Sequence, residues 1–371
     1  MNCFNEIPTR EWFLAASTAN VRLVRLAYGK WDGERRDFLL GSADDYSALV
    51  DEDLRKLRQY LDLAESLGIS VVLAPLSLPG ARFRQFNDGQ RDSRLWTDPQ
   101  YLSQAAQFWK DLANAMKDHA AVAGYDLLNE PHPEWFHGKR EFWDRGFGQW
   151  YEQVKGTAGD LNRFNRVVTA SIRAVDPDTP IIVESGLYAT PWAFEYLESV
   201  ADPNVLYSFH MYEPYKYTTR RINQGRYSYP GIIPIDSLGV DLRFDFASLD
   251  AFFDPVREWA RRNGIPASRI FVGEFGCERM ASGAARYLAD LIRVFNREGW
   301  HWAFYAYRED SWPHMDYELG TDRPGETYWA AVEEGDLPQR YSEIYDPRQA
   351  NPLWTLLKGE LARRRQPSSS R

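Results

Sequence analysis

The chain has 371 residues, of which 44% are hydrophobic and 26% charged, with a net charge of −9. That composition belongs to a globular protein with a sizeable core, and no apolar run approaches the ~20 residues of a bilayer-spanning helix. The acidic balance argues against a general nucleic-acid binder, which needs clustered Lys and Arg to neutralise phosphates.

The first twenty residues carry acidic side chains and only the short apolar stretch Trp12 to Ala16. No signal peptide is visible there, so the chain as written is expected to be cytoplasmic. NCFN at 2–5 reads as a clipped first strand; a true start upstream of Met1 would reopen a secreted or periplasmic location. Cys3 and Cys277 build neither a disulfide framework nor a metal cluster.

Short β-branched and apolar runs then alternate with segments of helical period. VRLVRLAY (21–28), SVVLAPL (70–76), VAGYDLL (122–128), PIIVES (180–185), NVLYSFHMY (204–212), RIFVGEF (269–275) and WHWAFYAY (300–307) read as strands. Leu54, Leu57, Leu61 and Ala64 mark one face of a helix that Gly68 terminates. Leu102, Ala106, Trp109, Leu112, Ala113 and Met116 mark a second. Phe164, Val167, Val168 and Ile172 mark a third, and Ala285, Leu288, Leu291, Ile292 and Phe295 another late in the chain. With the clipped first strand this pattern predicts a single-domain (β/α)8 barrel over residues 1–361 and a frayed basic tail at 362–371. The long, aromatic-rich connections 77–98, 131–150, 213–245 and 308–350 all leave C-terminal strand ends, the face on which barrel enzymes build their sites.

Reading strand ends alone places Arg25, Asn129, Glu130, His210, Tyr212 and Glu274 in the mouth. Glu130 and Glu274 end the fourth and seventh strands, so their carboxylates face each other across it. Two carboxyls roughly 5 to 5.5 Å apart suit retaining glycoside hydrolysis, one as proton donor and one as nucleophile. A cation keeps a nucleophilic carboxylate charged, and Arg25 is the candidate.

LLNEPH, HMYEP and VGEFG, in this order over a barrel, resemble glycoside hydrolase family 5, the cellulase-like retaining (β/α)8 glycosidases. The resemblance implies that Glu130 is the acid/base and Glu274 the nucleophile. It further implies that Asn129 meets the sugar 2-hydroxyl, that Arg25 is the arginine of strand two, and that Tyr212 sits beside the nucleophile with His210 as its strand-six companion. The chain departs from the family's pattern twice. Where a His is usual near the end of strand three it has Leu76 and Ser77, and where a Trp forms a sugar platform on strand eight it offers Trp302, Tyr305 and Tyr307.

Blander readings stand beside these. Arg25 can be a structural ion pair with Arg22 competing for its register, and Glu184 and Glu213 read as supporting residues. His132 and His137 lack a third metal ligand at plausible spacing. Trp96, Trp135, Trp143 and Trp312 sit in long loops as sugar-face partners or loop cores, and the Arg308–Asp310 cluster with Asp316 and Glu318 either meets hydroxyls or clamps a loop. The expected activity is hydrolysis of β-linked glucan, mannan or related β-glycosides by double displacement, with no cofactor or metal and a β-linked oligo- or polysaccharide as partner. The rivals are a non-catalytic carbohydrate-binding barrel, expected to lack one carboxylate, and a metal-dependent barrel hydrolase, which needs a histidine cluster where only His210 stands.

Overall fold

The computed structural model describes residues 1–3, 8–28, 36–141, 144–235, 240–308, 313–319 and 351–363. Each apolar run of the sequence supplies a strand, shorter than the run itself. These are β1 (Asn2–Cys3), β2 (Leu23–Leu26), β3 (Ser70–Leu73), β4 (Val122–Asp126), β5 (Ile181–Glu184), β6 (Val205–Met211), β9 (Ile270–Phe275) and β10 (His301–Trp302). They form one eight-stranded sheet in the order β1-β2-β3-β4-β5-β6-β9-β10, every pairing parallel. The backbone N–H of Asn2 donates to the carbonyl of Phe304 at 3.0 Å, and the Asn2 side-chain amide donates to Ala303 and Phe304. Those bonds join the first strand to the last and close the barrel.

Leu23, Val72, Ala123, Ile182, Leu206, Phe271 and Ala303 form one apolar layer inside the cylinder, drawn from seven of its strands. Side chains alternate across a strand. Two residues further along, the same inward direction therefore carries Arg25, Glu184, Ser208, Gly273 and Tyr305, and the core gives way to the polar mouth.

The four helices expected from periodicity are present at Asp51–Ser66, Pro99–Met116, Leu161–Arg173 and Ala284–Glu298, each burying the apolar stripe that marked it. Further helices at Arg10–Thr18, Phe147–Val154, Asp254–Asn263 and Pro352–Ala362 complete much of the outer layer. The connection from β5 to β6 carries no long helix; it turns through Leu187, Tyr188 and Ala189, all with positive φ, into the 3-10 turn Pro191–Tyr196. The 213–245 connection holds an antiparallel hairpin, β7 (Gly231–Ile235) and β8 (Val240–Phe244). This hairpin is not foreshadowed by strand-like alternation, since Pro234 and the neighbouring Gly and Pro residues carry a loop signature. The frayed tail expected at 362–371 lies almost wholly outside the described residues, as do Phe4 and Asn5 of the first strand.

Candidate active site

Arg25 is fully buried at the end of β2 and organises the mouth. Its Nε donates to Asp126 Oδ2 at 2.7 Å, Nη1 to Glu274 Oε1 at 2.8 Å, and Nη2 to Glu184 Oε1 at 2.7 Å and Asn129 Oδ1 at 2.9 Å. A planar fork of five N–H donors can hold four acceptors in fixed directions at once, which a lysine cannot. Arg22, its rival for the register, is exposed at the opposite end of the strand.

Glu274 and Glu130 occupy one space, with single oxygens of the two carboxyls and a His210 ring nitrogen all within 4.8 Å of one another. Glu274 is nearly enclosed and Glu130 more open, with side-chain exposures of 5% and 22%. Burial raises the Glu274 carboxyl above the usual glutamate value, and the nearby Glu130 charge adds to this. His210, Arg25 and the Tyr212 hydroxyl, which donates to Glu274 Oε2 at 2.7 Å, work the other way. Between the two carboxyls stands His210, its Nδ1 3.1 Å from Glu130 Oε1 and its Nε2 3.1 Å from Glu184 Oε1. The second contact is off the hydrogen-bonding angle and acts through charge. Burial alone would neutralise this ring, yet Glu184 and Glu274 outweigh it and hold His210 well above the usual histidine value. Glu130, His210 and Glu274 also have ligand-like spacing, with one oxygen or ring nitrogen of each within 4.8 Å of the others.

The two glycines of VGEFG have steric causes. A Cβ on Gly273 would lie 2.7 Å from Ser208 Oγ and 2.9 Å from His210 Nε2, so only glycine leaves room for the imidazole. A Cβ on Gly276 would lie 2.4 Å from the Tyr305 carbonyl and 2.6 Å from the Tyr317 hydroxyl. The motif is thus a glutamate whose two glycine neighbours let other groups of the mouth approach.

The structure brings Arg25, Asn129, Glu130, His210, Tyr212 and Glu274 together, and it sorts the remaining candidates. Tyr305 reaches the mouth, in an apolar cluster with Leu76, Ala74, Ala27 and Met315 against which Tyr212 packs. Trp302 does not: its indole N–H donates to Asn296 on the outer helix and its ring meets Phe275 edge-on, because residue 302 has the outward phase of β10. Tyr307 also points outward, stacked on Trp354. Trp96 is core, packed on Phe164. Trp135 is half-buried beside the mouth, with the guanidinium groups of Arg91 and Arg140 over its ring at 4.0 and 4.6 Å. Arg308 pairs with Glu318 and clamps its loop, and Ser77 accepts the Phe83 N–H. Trp143, Trp312, Glu309 and Asp310 lie outside the described residues.

Glu184 is the supporting residue expected from its strand-end position, and Asp126 and Asn2 join it around Arg25. Glu184 accepts from Arg25 and from the backbone N–H of Glu130 at 2.7 Å each, and its carboxyl is driven down to about 2: burial opposes ionisation, but His210 and Arg25 prevail. The signal was available, since PIIVES ends a strand on a glutamate as surely as RIFVGEF does. Asn2 offers its Oδ1 to Arg25 at 3.4 Å.

The family model for cellulase, glycosyl hydrolase family 5, matches residues 1–311. Among curated proteins the chain is 22% identical over 256 residues to cellodextrinase A of Ruminococcus flavefaciens, spanning 68% of this chain and 67% of that one. It is 20% identical over 275 residues to a β-xylosidase of Phanerodontia chrysosporium, spanning 70% of this chain and about half, 49%, of the relative. In structure it is similar to the endoglucanase Cel5A of Thermotoga maritima, with a TM-score of 0.62, 17% identity, and 96% of each chain covered. With the family model matched over most of its length and the eight-stranded barrel in place, the chain belongs to glycosyl hydrolase family 5.

Proposed function

We propose that this O-glycosyl hydrolase cleaves β-linked glucan, mannan or a related β-glycoside by double displacement, with Glu274 as nucleophile and Glu130 as acid/base. The observation that carries the assignment is the placement of the two carboxyls: oxygens within 4.8 Å, at the ends of different strands, in one mouth. Carboxyls whose oxygens approach this closely favour direct attack by the carboxylate, as in retaining pairs roughly 5 to 5.5 Å apart, over an inverting pair held wider to admit a water.

Glu274 attacks the anomeric carbon while Glu130 protonates the departing oxygen; Glu130 then takes a proton from water as the glycosyl ester is hydrolysed. Arg25 and the Tyr212 hydroxyl hold the Glu274 oxygens in place, fixing the attacking atom before substrate arrives. His210 can donate from Nδ1 to Glu130 Oε1, leaving the other carboxyl oxygen for the glycosidic bond. Asn129 gives its Oδ1 to Arg25, and its buried Nδ2 has no acceptor among the described residues. That amide donor suits a sugar hydroxyl, and a hydrogen bond there that strengthens as the oxocarbenium develops lowers the barrier selectively. A relative named cellodextrinase supports short β-linked glucose chains as the first substrates to try.

The test is hydrolysis of aryl β-cellobioside, β-glucoside and β-mannoside, with the first-formed product anomer followed by NMR. The reading requires a β-anomer product and a rate reduced by about 10⁴-fold or more in Glu274→Ala, ~5.5 kcal/mol of barrier. An α-anomer, or undiminished activity in the variant, refutes it.

A further inference from the structure

In the mechanism above the general acid stands beside the departing group, so whatever surrounds Glu130 on its outer side recognises the leaving portion of the substrate. The Glu130 carbonyl accepts from His132 Nδ1 at 2.7 Å, and the His132 ring stacks on Tyr188 with centroids 4.1 Å apart and planes 10° from parallel. Tyr188 meets Trp135 edge-on at 5.8 Å. Over Trp135 lie the guanidinium groups of Arg91 and Arg140, and Arg84 and Arg91 both act electrostatically on Tyr188. A continuous chain of contacts thus runs from the general acid to a group of arginines.

These arginines differ from their neighbours. In the same loop, Arg82 is bound by Asp37 and Arg94 by Asp92. Arg84, Arg91 and Arg140 have no carboxylate partner among the described residues; Arg84 donates only to the Gly89 carbonyl, at 2.7 Å. The Nε of Arg91 is buried with no acceptor among the described residues. A buried charged donor left without an acceptor is costly unless something arrives to accept it. Three cations without a carboxylate partner among the described residues, in a protein of net charge −9, concentrate positive potential beside Trp135 and Tyr188.

We propose that this wall is a subsite for an anionic leaving group, in which Arg91, oriented by Trp135, binds a carboxylate or phosphate on the departing sugar or carrier, with Arg84 and Arg140 adding field. Guanidinium groups match both anions in geometry and remain charged at every working pH. The proposal rests on Glu130 being the general acid.

The experiment uses β-cellobiosides of 4-carboxy-2-nitrophenol and of 4-carbamoyl-2-nitrophenol, a pair alike in shape and differing in charge, with wild type and Arg91→Gln. The expected result is that kcat/KM on the carboxylate falls about tenfold in the variant while that on the carboxamide changes less than twofold. The carboxamide arm also reports whether the variant is folded. A third glycoside bearing a phosphate ester in place of the carboxylate separates the two anions, the larger Arg91→Gln loss naming the group. Equal losses on charged and neutral leaving groups overturn the subsite and leave the hydrolase standing. No turnover by wild type of any of these cellobiosides or of their β-glucoside and β-mannoside counterparts overturns both.

Discussion

The backbone N–H of Glu130 donates to Glu184 Oε2 at 2.7 Å, with Glu130 itself at φ 50°. A non-glycine residue in the left-handed region is strained by roughly 1–2 kcal/mol, and a buried carboxylate acceptor is what makes the turn tolerable. The same carboxylate faces Arg25 and His210, so one side chain orients the guanidinium, the imidazole ring and the strand end of the site.

Replacing Glu184 with Gln keeps its shape and removes its charge. The expected outcome is a fall in kcat/KM of about 10²-fold from misplacement of Glu130 and His210. Because Glu184 is the main charge raising His210, the imidazolium should lose its proton at lower pH in the variant. NMR titration of the His210 ring checks this; an unmoved titration means that Glu184 is only scaffold.

Substituting Glu130 with Gln tests the acid/base roles proposed for it through leaving-group ability. A glycoside of 2,4-dinitrophenol needs little protonation, so its glycosylation step should survive, whereas an unactivated disaccharide should lose about 10²–10⁴-fold. Parallel losses on both substrates would place the acid elsewhere.

Glu134 is buried behind the mouth, where its Oε2 accepts the Leu187 N–H, and burial pushes its carboxyl up to about 7. A carboxyl raised in the folded state binds its proton more tightly there than in the unfolded chain. Its contribution to stability therefore declines as pH rises from about 4.5 to about 7. Gln carries no such penalty. Relative to wild type, Glu134→Gln should gain roughly 2–3 kcal/mol between pH 5 and pH 8, measured by denaturant titration at both values. A pH-independent difference would show that this carboxyl ionises normally.

Trp302 and Tyr305 make a matched pair for testing register. Trp302 packs, partly exposed, between barrel and helix, so Trp302→Ala should lower stability by roughly 1–3 kcal/mol and leave KM unchanged. Tyr305 lies in the mouth, so Tyr305→Ala should raise KM for oligosaccharides. The reverse pattern would require the chain after β10 to be rotated by one residue.

Much of this was legible in the chain because it follows from local alternation. Apolar runs of strand length, helices with one apolar face, and carboxylates standing where strands stop are properties of a few consecutive residues, and they located Arg25, Glu130, His210 and Glu274 without coordinates. Glu184 obeys the same rule and supports the site, but nothing within PIIVES announces that its partners are Arg25, His210 and the backbone of Glu130.

What only the tertiary structure decided is which groups share a space. Strand phase turned Trp302 outward and Tyr305 inward, and an adjacent-residue pattern cannot fix that phase near a strand end where both faces are apolar. The glycines flanking Glu274 meet Ser208, His210, Tyr305 and Tyr317, atoms contributed from distant parts of the chain. The order and chemistry of the strand-end residues are written locally, whereas their ionisation and aim depend on closing the cylinder, since charge and steric contact act through space.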